Sequence, residues 1–339
     1  MTKALNIAVV GATGNVGREI IRTLVERNFK VRRLDAVASE NSAGKEISFG
    51  NDEILKVINI KDYDFSDCDL AFFTAGGKLS RELCKKVAAK GVMVIDCSSY
   101  FRMDKDVPLI IPEINAAAMS GHHNLIATPN CAATQMLMAL APLHKHAKVK
   151  RVVASTYQSV SGAGKAAMDE LFAQTKSTFS YSPIEAQVFH KQISFNLIPH
   201  IGDFLDDGDT DEEVKVVNEI KKILDPAIEV AVTCVRVPVF IGHSVAMNVE
   251  FEDAISVKKA RELLAKFPGV VVHDNVEDFG YITPKEAVNY DDVYVSRIRP
   301  DKSVKHGLNM WVVSDNLRKG AALNAVQIAE VLAKDIKTL

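Results

Sequence analysis

The chain has 339 residues, of which 47% are hydrophobic and 25% are charged, and its formal net charge is −2. This length exceeds that of a usual single domain, so the sequence predicts two domains, each with a core of its own. The balanced charge argues against nucleic acid or an anionic membrane surface as a partner. No apolar run approaches the roughly 20 residues of a membrane-spanning helix. The five cysteines are scattered, without a Cys-x-x-Cys pair. That spacing favours reduced thiols in a cytoplasmic protein over a disulfide framework or a zinc site, and no metal is expected.

The first 130 residues alternate short apolar runs with amphipathic segments of helical length. The predicted strands are Ala4–Val10, Val31–Ala38, Leu70–Phe73, Val92–Asp96 and Leu125–Thr128, and the predicted helices are Val16–Arg27 and Ser80–Lys90. This alternation is typical of a parallel sheet with helices on both faces. The sequence therefore predicts an α/β protein that begins with a Rossmann-like, doubly wound nucleotide-binding domain.

The pattern changes after residue 130. Lys150–Tyr157, Ile228–Val237 and Ser244–Phe251 are β-branched and partly alternating, with long helical or loop stretches between them. They predict a mixed α+β domain whose sheet is largely antiparallel. A final amphipathic helix is predicted over Asn316–Lys337 and is expected to return to the first domain. The predicted division is residues 1–130 plus 316–339 for dinucleotide binding, and residues 131–315 for the second domain.

A glycine-rich loop lies between the first predicted strand and the first predicted helix. Glycines allow a tight turn and a close approach to a pyrophosphate, and the helix then offers its free N–H groups to the anion. The spacing is G-x-x-G-x-x-G instead of G-x-G-x-x-G, so a glycine-rich turn that binds nothing remains an alternative. The candidate residues are Gly11, Thr13, Gly14, Asn15, Val16 and Gly17.

Cys131 follows Thr128-Pro129-Asn130 and precedes a strongly helical run, Ala132–His144. A cysteine in the first turn of a helix faces unpaired N–H groups and the positive end of the helix dipole, which stabilise a thiolate over a thiol. Such a cysteine is a candidate acyl-transfer nucleophile. A buried structural cysteine is the alternative, and the residues alone leave both interpretations open.

At these residues the chain resembles the aspartate-β-semialdehyde dehydrogenases, and the resemblance runs nearly from end to end. The segments that carry it are GATGNVG (11–17), FFTAGG (72–77), VIDCSSYFRMD (94–104), IPEIN (111–115), PNCAATQ (129–135), STYQSVSGAG (155–164), FNLIPHIG (195–202), CVRVPVFIGHS (234–244) and WVVSDNLRKGAALNAVQIAE (311–330).

The resemblance implies a reversible reaction with a covalent intermediate. In the biosynthetic direction a cysteine displaces phosphate from β-aspartyl phosphate, and hydride from NADPH reduces the resulting thioester to the semialdehyde. By position, Cys131 is the expected nucleophile and His243 the expected general acid/base, with an ordinary histidine pKa of about 6.5. Gln158 is expected to orient the substrate.

The charges of that substrate account for the other matching residues. Arg236 is expected to clamp the α-carboxylate, since a guanidinium binds a carboxylate in bidentate fashion. Glu212 is expected to meet the α-ammonium, although Thr210 and Glu213 also fit a capping box, so the acidic run could be only a solvated helix start. The remaining expected substrate- and phosphate-binding residues are Arg102, Asn130 and Lys215.

The resemblance also implies a dinucleotide site with one departure from the family pattern. Beyond the glycine loop, the expected cofactor contacts are Ser39, Asn41, Ser42, Ser161, Gly162 and Asn316. Asn41 stands where arginine is usual near the adenosine 2′-phosphate, and Glu40 adds a negative charge there. Both changes weaken phosphate binding. Ser39, Ser42 and Lys45 can still hold that phosphate, so the resemblance keeps NADP as the expected cofactor, with NAD or dual use as an alternative.

Two alternatives to this function remain. An N-acetyl-glutamyl-phosphate reductase has the same loop, cysteine and acyl-phosphate chemistry, but its acetylated substrate needs no carboxylate for an ammonium. A non-catalytic relative would keep the fold alone. The resemblance further implies a homodimer formed through the second domain. It also implies a place in the biosynthesis of lysine, threonine, methionine, isoleucine and diaminopimelate.

Overall fold

The computed structural model describes residues 4–50 and 53–335. The chain divides into two compact units, one made of Met1–Pro129 with Ala321–Leu339 and the other of Asn130–Gly320. The sequence predicts divisions after residues 130 and 315, so the second division falls a few residues later along the chain.

The first unit is built on a parallel sheet with helices between its strands. Its strands are β1 (Leu5–Val10), β2 (Val31–Ala38), β3 (Glu46–Phe49), β4 (Glu53–Lys56), β5 (Ile58–Asn59), β6 (Leu70–Phe73), β7 (Met93–Asp96) and β8 (Leu125–Ala127). Its helices are α1 (Asn15–Glu26), α2 (Gly77–Ala88), α3 (Pro112–Asn115) and, from the end of the chain, α9 (Leu323–Asp335).

Six of these strands form one sheet in the order β5-β2-β1-β6-β7-β8, and each neighbouring pair is parallel. This is the strand order of doubly wound dinucleotide-binding domains, which confirms the predicted fold class. Every residue of β1 is buried, as expected for a central parallel strand covered on both faces. The β3–β4 hairpin, which the sequence did not predict, forms a separate two-stranded sheet.

Helix α9 belongs to the hydrophobic core of this unit. Its apolar side chains, among them Val326, Ile328 and Leu332, share one buried cluster with Ile7 of β1 and Ile20 of α1. Arg27 also donates two hydrogen bonds to the Glu330 carboxylate, at 2.7 and 2.9 Å. The end of the chain therefore completes the core that begins with β1.

The predicted start of the final helix is wrong. Asn316 and Leu317 lie in a turn, Arg318–Ala322 form a single π-helical stretch, and the α-helix begins only at Leu323. The Asp315 side chain accepts the Leu317 N–H at 2.9 Å, and this local bond competes with a regular helix start. Lys337, the predicted end, lies outside the described residues.

The second unit is built on a mixed sheet. Its strands are β9 (Val149–Gln158), β10 (Glu229–Arg236), β11 (His243–Phe251), β12 (Val270–Val272), β13 (Val293–Asp301) and β14 (Gly307–Ser314). Its helices are α4 (Cys131–Ala147), α5 (Lys165–Phe179), α6 (Asp211–Ile223), α7 (Val257–Ala265) and α8 (Pro284–Ala287). The strand order is β10-β9-β11-β14-β13-β12, with antiparallel pairing in the middle and a parallel pair at each edge.

Helix α4 fills the interior of this unit. It packs against β9, β11 and β14 and against α6 and α7, and nearly all its side chains are buried. The candidate site residues of this unit lie mainly on α4, on α6 and at the ends of β9, β10 and β11, so rigid elements hold them.

The described ranges contain neither a membrane-spanning helix nor a metal-binding cluster. No helix in residues 4–50 and 53–335 is both long and apolar enough to cross a membrane. Within the same ranges, no group of three or more His, Cys, Asp or Glu side chains is placed to hold a metal ion.

Candidate active site

In the first unit the glycine loop joins the end of β1 to the start of α1. Gly11 has φ +89°, and a Cβ at this position would lie 2.6 Å from the Thr74 hydroxyl oxygen. A Cβ on Gly17 would lie 2.3 Å from the Gly11 carbonyl oxygen, so only glycine lets α1 pack this closely. Gly14 occupies the N-cap position without a side-chain cap, and the first N–H groups of α1 follow it. This cradle fits a dinucleotide pyrophosphate.

Replacing Gly17 with alanine is expected to lower both stability and dinucleotide affinity. The added methyl group meets backbone atoms, which cannot rotate away, so a cost of about 1–3 kcal/mol in unfolding free energy is expected. Thermal unfolding with and without added dinucleotide measures both effects. Gly121→Ala is the control, because a Cβ there meets nothing within 4 Å. Equal stability of the two variants would contradict the close-packing role of Gly17.

The turn that follows β2 lies beside the glycine loop. Ser39 precedes a 3₁₀ turn formed by Glu40–Ser42, which includes the predicted cofactor residue Asn41. The hydroxyls of Thr13 and Ser42 are 3.3 Å apart, which connects the turn to the loop. The Glu40 carboxylate accepts a hydrogen bond from Lys61 at 2.9 Å. The predicted cofactor contacts of the first unit thus lie close together, and Lys61 lies beside them.

Arg102, a predicted phosphate ligand, is also in the first unit. Its side chain is largely buried, and Nε donates to the Thr128 carbonyl at 2.9 Å while Nη2 donates to the Cys97 carbonyl at 3.3 Å. These bonds fix the guanidinium beside the segment that leads to Cys131. Phosphate binding by Arg102 stays a prediction.

In the second unit Cys131 is the first residue of α4. Asn130 caps this helix, since its side-chain oxygen accepts the N–H groups of Ala132 and Ala133 at 2.8 and 3.2 Å. The Asn130 backbone N–H donates to the buried carboxylate of Glu219 on α6. Hydrogen bonds therefore hold both the side chain and the backbone of Asn130, and with them the position of Cys131.

The Glu212 carboxylate joins Asn130 to Gln158. Its Oε1 accepts from Asn130 Nδ2 at 2.8 Å and from Gln158 Nε2 at 3.1 Å. Thr210 and Glu213 do form the capping box of α6, so that interpretation of the pair is confirmed. Glu212, one residue earlier, points instead into the cluster that contains Cys131. Lys215 makes an ion pair of 2.6 Å with Asp211 on the same helix.

His243 is fully buried at the start of β11. The Ser159 backbone N–H donates to Nδ1 at 3.0 Å, and the Ser159 hydroxyl oxygen is also 3.0 Å from that atom. The neutral ring therefore carries its proton on Nε2. Nε2 is buried and has no hydrogen-bond partner among the described residues. A role for this atom in binding substrate stays a prediction.

The expectation that His243 titrates at an ordinary pKa is wrong. Burial, together with the positive charge of Arg236, holds the pKa of His243 well below its usual range. The sequence motif identifies the residue but does not show its burial.

Arg236 lies beside His243 at the end of β10. Its Nη1 donates to the Ser159 carbonyl at 2.7 Å. Burial lowers the pKa of Arg236, and the nearby negative charges of Glu212 and Cys131 raise it in part. A Cβ on Gly162 would lie 3.2 Å from Arg236 Nη1 and 3.4 Å from His243 Nε2, so the glycine leaves this pocket open. The second unit thus brings Cys131, Glu212, Arg236 and His243 into one cluster.

Asn316 and Ser161, two predicted cofactor contacts, are buried in the second unit. The Asn316 side-chain oxygen accepts from the Ser159 hydroxyl at 3.0 Å, from the Ser161 hydroxyl at 3.2 Å and from the Gly242 N–H at 2.9 Å. Asn316 therefore ties the β9 end to the residue before His243. A contact with the cofactor stays a prediction for both residues.

The other four cysteines have raised thiol pKa values. Burial raises the pKa of Cys68 to about 11, that of Cys97 and Cys234 to about 12, and that of Cys84 further still. A thiol with a raised pKa is a poor nucleophile, so these four act as small apolar side chains.

Sequence reasoning missed three residues that the structure adds to these clusters. Glu219 lies seven positions after Glu212, and the helical repeat places both on one face of α6, a signal that was available. Ser159 follows Gln158 in a matched segment, but its contact with His243 depends on the meeting of two strand ends. Lys61 lies far along the chain from Glu40, and nothing in the sequence pairs them.

Comparisons with known proteins agree with this geometry. Residues 6–122 match the family model for a semialdehyde dehydrogenase NAD binding domain, and residues 140–319 match that for a semialdehyde dehydrogenase dimerisation domain. The chain is 50% identical over 336 residues to an aspartate-semialdehyde dehydrogenase of Rickettsia bellii, covering 98% of this chain and 99% of the relative. An Aquifex aeolicus relative of the same name is 49% identical, with 97% and 98% covered.

A solved structure agrees over the same extent. It is aspartate semialdehyde dehydrogenase II from Vibrio cholerae complexed with ASA, which is 44% identical with a TM-score of 0.96 and coverage of 98% of this chain and 99% of that one. The shared fold, the near full-length identity and the placement of the matched segments lead to one conclusion. The chain belongs to the aspartate-semialdehyde dehydrogenase family.

Proposed function

We propose that the chain catalyses the reversible NADP-dependent reductive dephosphorylation of β-aspartyl phosphate to aspartate-β-semialdehyde through a thioester on Cys131. One observation carries the proposal: Glu212 accepts hydrogen bonds from both Asn130, the residue before Cys131, and Gln158. A single carboxylate thereby connects the nucleophile's helix to the substrate-facing strand end. An aminoacyl substrate needs such a carboxylate for its ammonium group.

Cys131 is the nucleophile of the proposed reaction. Its Sγ attacks the β-carbonyl carbon, and the bond from that carbon to the phosphate oxygen breaks with its electron pair. The positive end of the α4 dipole stabilises negative charge on the sulfur. The product of this step is the thioester, and inorganic phosphate leaves.

His243 serves the second half of the reaction. When bound, the reduced nicotinamide supplies a hydride to the thioester carbon. The Nε2–H of the neutral His243 ring donates a hydrogen bond to the carbonyl oxygen as negative charge develops there. The oxyanion then re-forms the carbonyl as the carbon–sulfur bond breaks, which releases the aldehyde and the Cys131 thiolate. Burial of the ring excludes water from this hydrogen bond.

The charged groups of the substrate each have an oppositely charged residue in the proposal. Arg236 clamps the α-carboxylate, Glu212 binds the α-ammonium, and Arg102 and Lys215 bind the phosphate. The glycine loop, Ser39 and Ser42, with Ser161, Gly162 and Asn316, hold the dinucleotide. The V. cholerae relative's complex with ASA supports the choice of substrate.

The proposal extends to assembly and pathway. The match of residues 140–319 to a dimerisation domain supports a homodimer formed by the second unit. The product semialdehyde serves the biosynthesis of lysine, threonine, methionine, isoleucine and diaminopimelate.

A substrate comparison tests the function. The purified chain is assayed with NADP and phosphate on aspartate-β-semialdehyde and on N-acetyl-glutamate semialdehyde. Turnover of the aspartyl compound alone is expected. With N-acetyl-glutamate semialdehyde the Glu212 carboxylate would be buried against an uncharged amide, which is unfavourable. Turnover of the acetylated compound alone would assign the chain to the competing reductase activity.

Replacing Glu212 with glutamine is expected to raise the KM for aspartate-β-semialdehyde about tenfold with little change in kcat. The amide oxygen still accepts from Asn130 and Gln158, so the geometry is kept and only the negative charge is lost. Steady-state kinetics at saturating NADP and phosphate measure the effect. Glu213→Gln is the matched control on the same turn of α6, where the carboxylate caps the helix. An unchanged KM in Glu212→Gln would remove Glu212 from the ammonium site.

A further inference from the structure

Lys61 lies at the edge of the parallel sheet where the dinucleotide loop emerges. Strand β5 pairs in parallel with the end of β2, and the Ile60 N–H donates to the Ala38 carbonyl at 2.8 Å. This pairing places Lys61, the next residue, beside the turn Glu40–Ser42. The glycine loop reaches the same edge, since the N–H groups of Gly11 and Ala12 donate to the Val37 carbonyl at 2.8 and 3.2 Å.

Lys61 and Glu40 form an exposed ion pair at this edge. Lys61 Nζ is 2.9 Å from Glu40 Oε2, and both side chains are about 70% exposed, at 72% and 70%. Exposed pairs of this kind contribute little to stability, so either partner exchanges readily for another ligand. A ribose 2′-hydroxyl is typically held by an acidic residue after the second strand, and a 2′-phosphate by a cation in that neighbourhood.

We propose that Lys61 is the residue that binds the 2′-phosphate of NADP, since position 41 has no arginine. With NADP bound, its ammonium transfers from Glu40 to the phosphate. With NAD bound, Glu40 accepts a ribose hydroxyl instead. The pair therefore sets the ratio of affinities for the two dinucleotides. This inference rests on the proposed function, since it concerns the cofactor of that reaction.

The neighbouring groups fit this assignment. Asn41 and the hydroxyls of Ser39 and Ser42 are neutral, so they hydrogen-bond to a phosphate without compensating its charge. The uncompensated Glu40 carboxylate would repel a phosphate dianion, and Lys61 is the cation shown in contact with it. Because the pair is exposed, substitutions there are expected to leave the fold intact.

Binding measurements on the full chain test the inference without relying on turnover. Dissociation constants for NADP⁺ and NAD⁺ are measured by isothermal titration calorimetry for wild type, Lys61→Met and Glu40→Gln. Lys61→Met is expected to weaken NADP⁺ binding about tenfold or more, the effect of losing a charge-assisted contact, and to change NAD⁺ binding less than about twofold. Glu40→Gln is expected to act in the opposite sense, tightening NADP⁺ and weakening NAD⁺.

Lys90→Met is the matched control, because Lys90 also makes an exposed pair in the first unit, with Asp64. If Lys61→Met binds NADP⁺ as Lys90→Met does, or weakens both dinucleotides equally, the inference is overturned while the proposed function stands. Failure of the wild-type chain to bind either dinucleotide would overturn both.

Discussion

The Cys131→Ala variant is expected to fold normally and to lose about 10⁴-fold or more in kcat, because the reaction has no route to the thioester without the sulfur. Alanine suits the first turn of a helix, and the cap provided by Asn130 does not depend on the thiol. A thermal midpoint close to that of wild type is therefore expected. Reductive dephosphorylation monitored by NADPH absorbance measures the loss of activity.

Cys84→Ala is the control for this experiment. Cys84 is fully buried, and its thiol pKa is raised by burial, so its replacement is expected to cost stability and leave kcat within about twofold. The opposite pattern, with activity lost in Cys84→Ala and kept in Cys131→Ala, would refute the assignment of the nucleophile.

Replacing His243 with asparagine is expected to lower kcat by about 10²–10³-fold, the usual effect of losing a hydrogen-bond donor to a developing oxyanion. The shorter amide is expected to keep a contact with Ser159 and to lose the hydrogen bond to the substrate oxygen. The pH dependence of kcat/KM is a second test of the role of His243. The neutral ring is the active form, and its protonation as pH falls through its pKa removes activity.

Because burial and Arg236 hold the pKa of His243 well below its usual range, the wild-type kcat/KM is expected to show no inflection near pH 6.5. Any acidic limb that depends on His243 lies well below that value. A limb centred near pH 6.5 that disappears in His243→Asn would show that the ring titrates normally and that its burial does not lower its pKa.

The architecture of the first unit could be read from its pattern. Strands β2 and β6 were predicted with the bounds that the structure gives them, and β6 is a short, fully buried apolar run, as is typical of a parallel strand. Strands β13 and β14 were not predicted. In β13 the register shifts between Ser296 and Arg299, and Arg297 has a positive φ of 55°, so its side-chain alternation breaks in the middle.

The site was predictable to a different degree. Resemblance identified Cys131, Glu212, Arg236 and His243, and the structure places these four in one cluster of the second unit. The resemblance could not identify features that are created by contacts between segments distant in the sequence. The lowered pKa of His243 arises from its burial and from the nearby positive charge of Arg236, and the Glu40–Lys61 pair arises because β5 pairs with β2. Local sequence carries no record of such pairings.

Peptide mass spectrometry tests most directly whether Cys131 carries the acyl group. The chain is mixed with β-aspartyl phosphate in the absence of reduced dinucleotide, quenched in acid and digested with a protease. A mass increase of one aspartyl group is expected on the peptide that contains Cys131, absent in Cys131→Ala and removed by NADPH. An aspartyl group on another residue, or turnover with no acylated peptide in a quench that preserves thioesters, would contradict it.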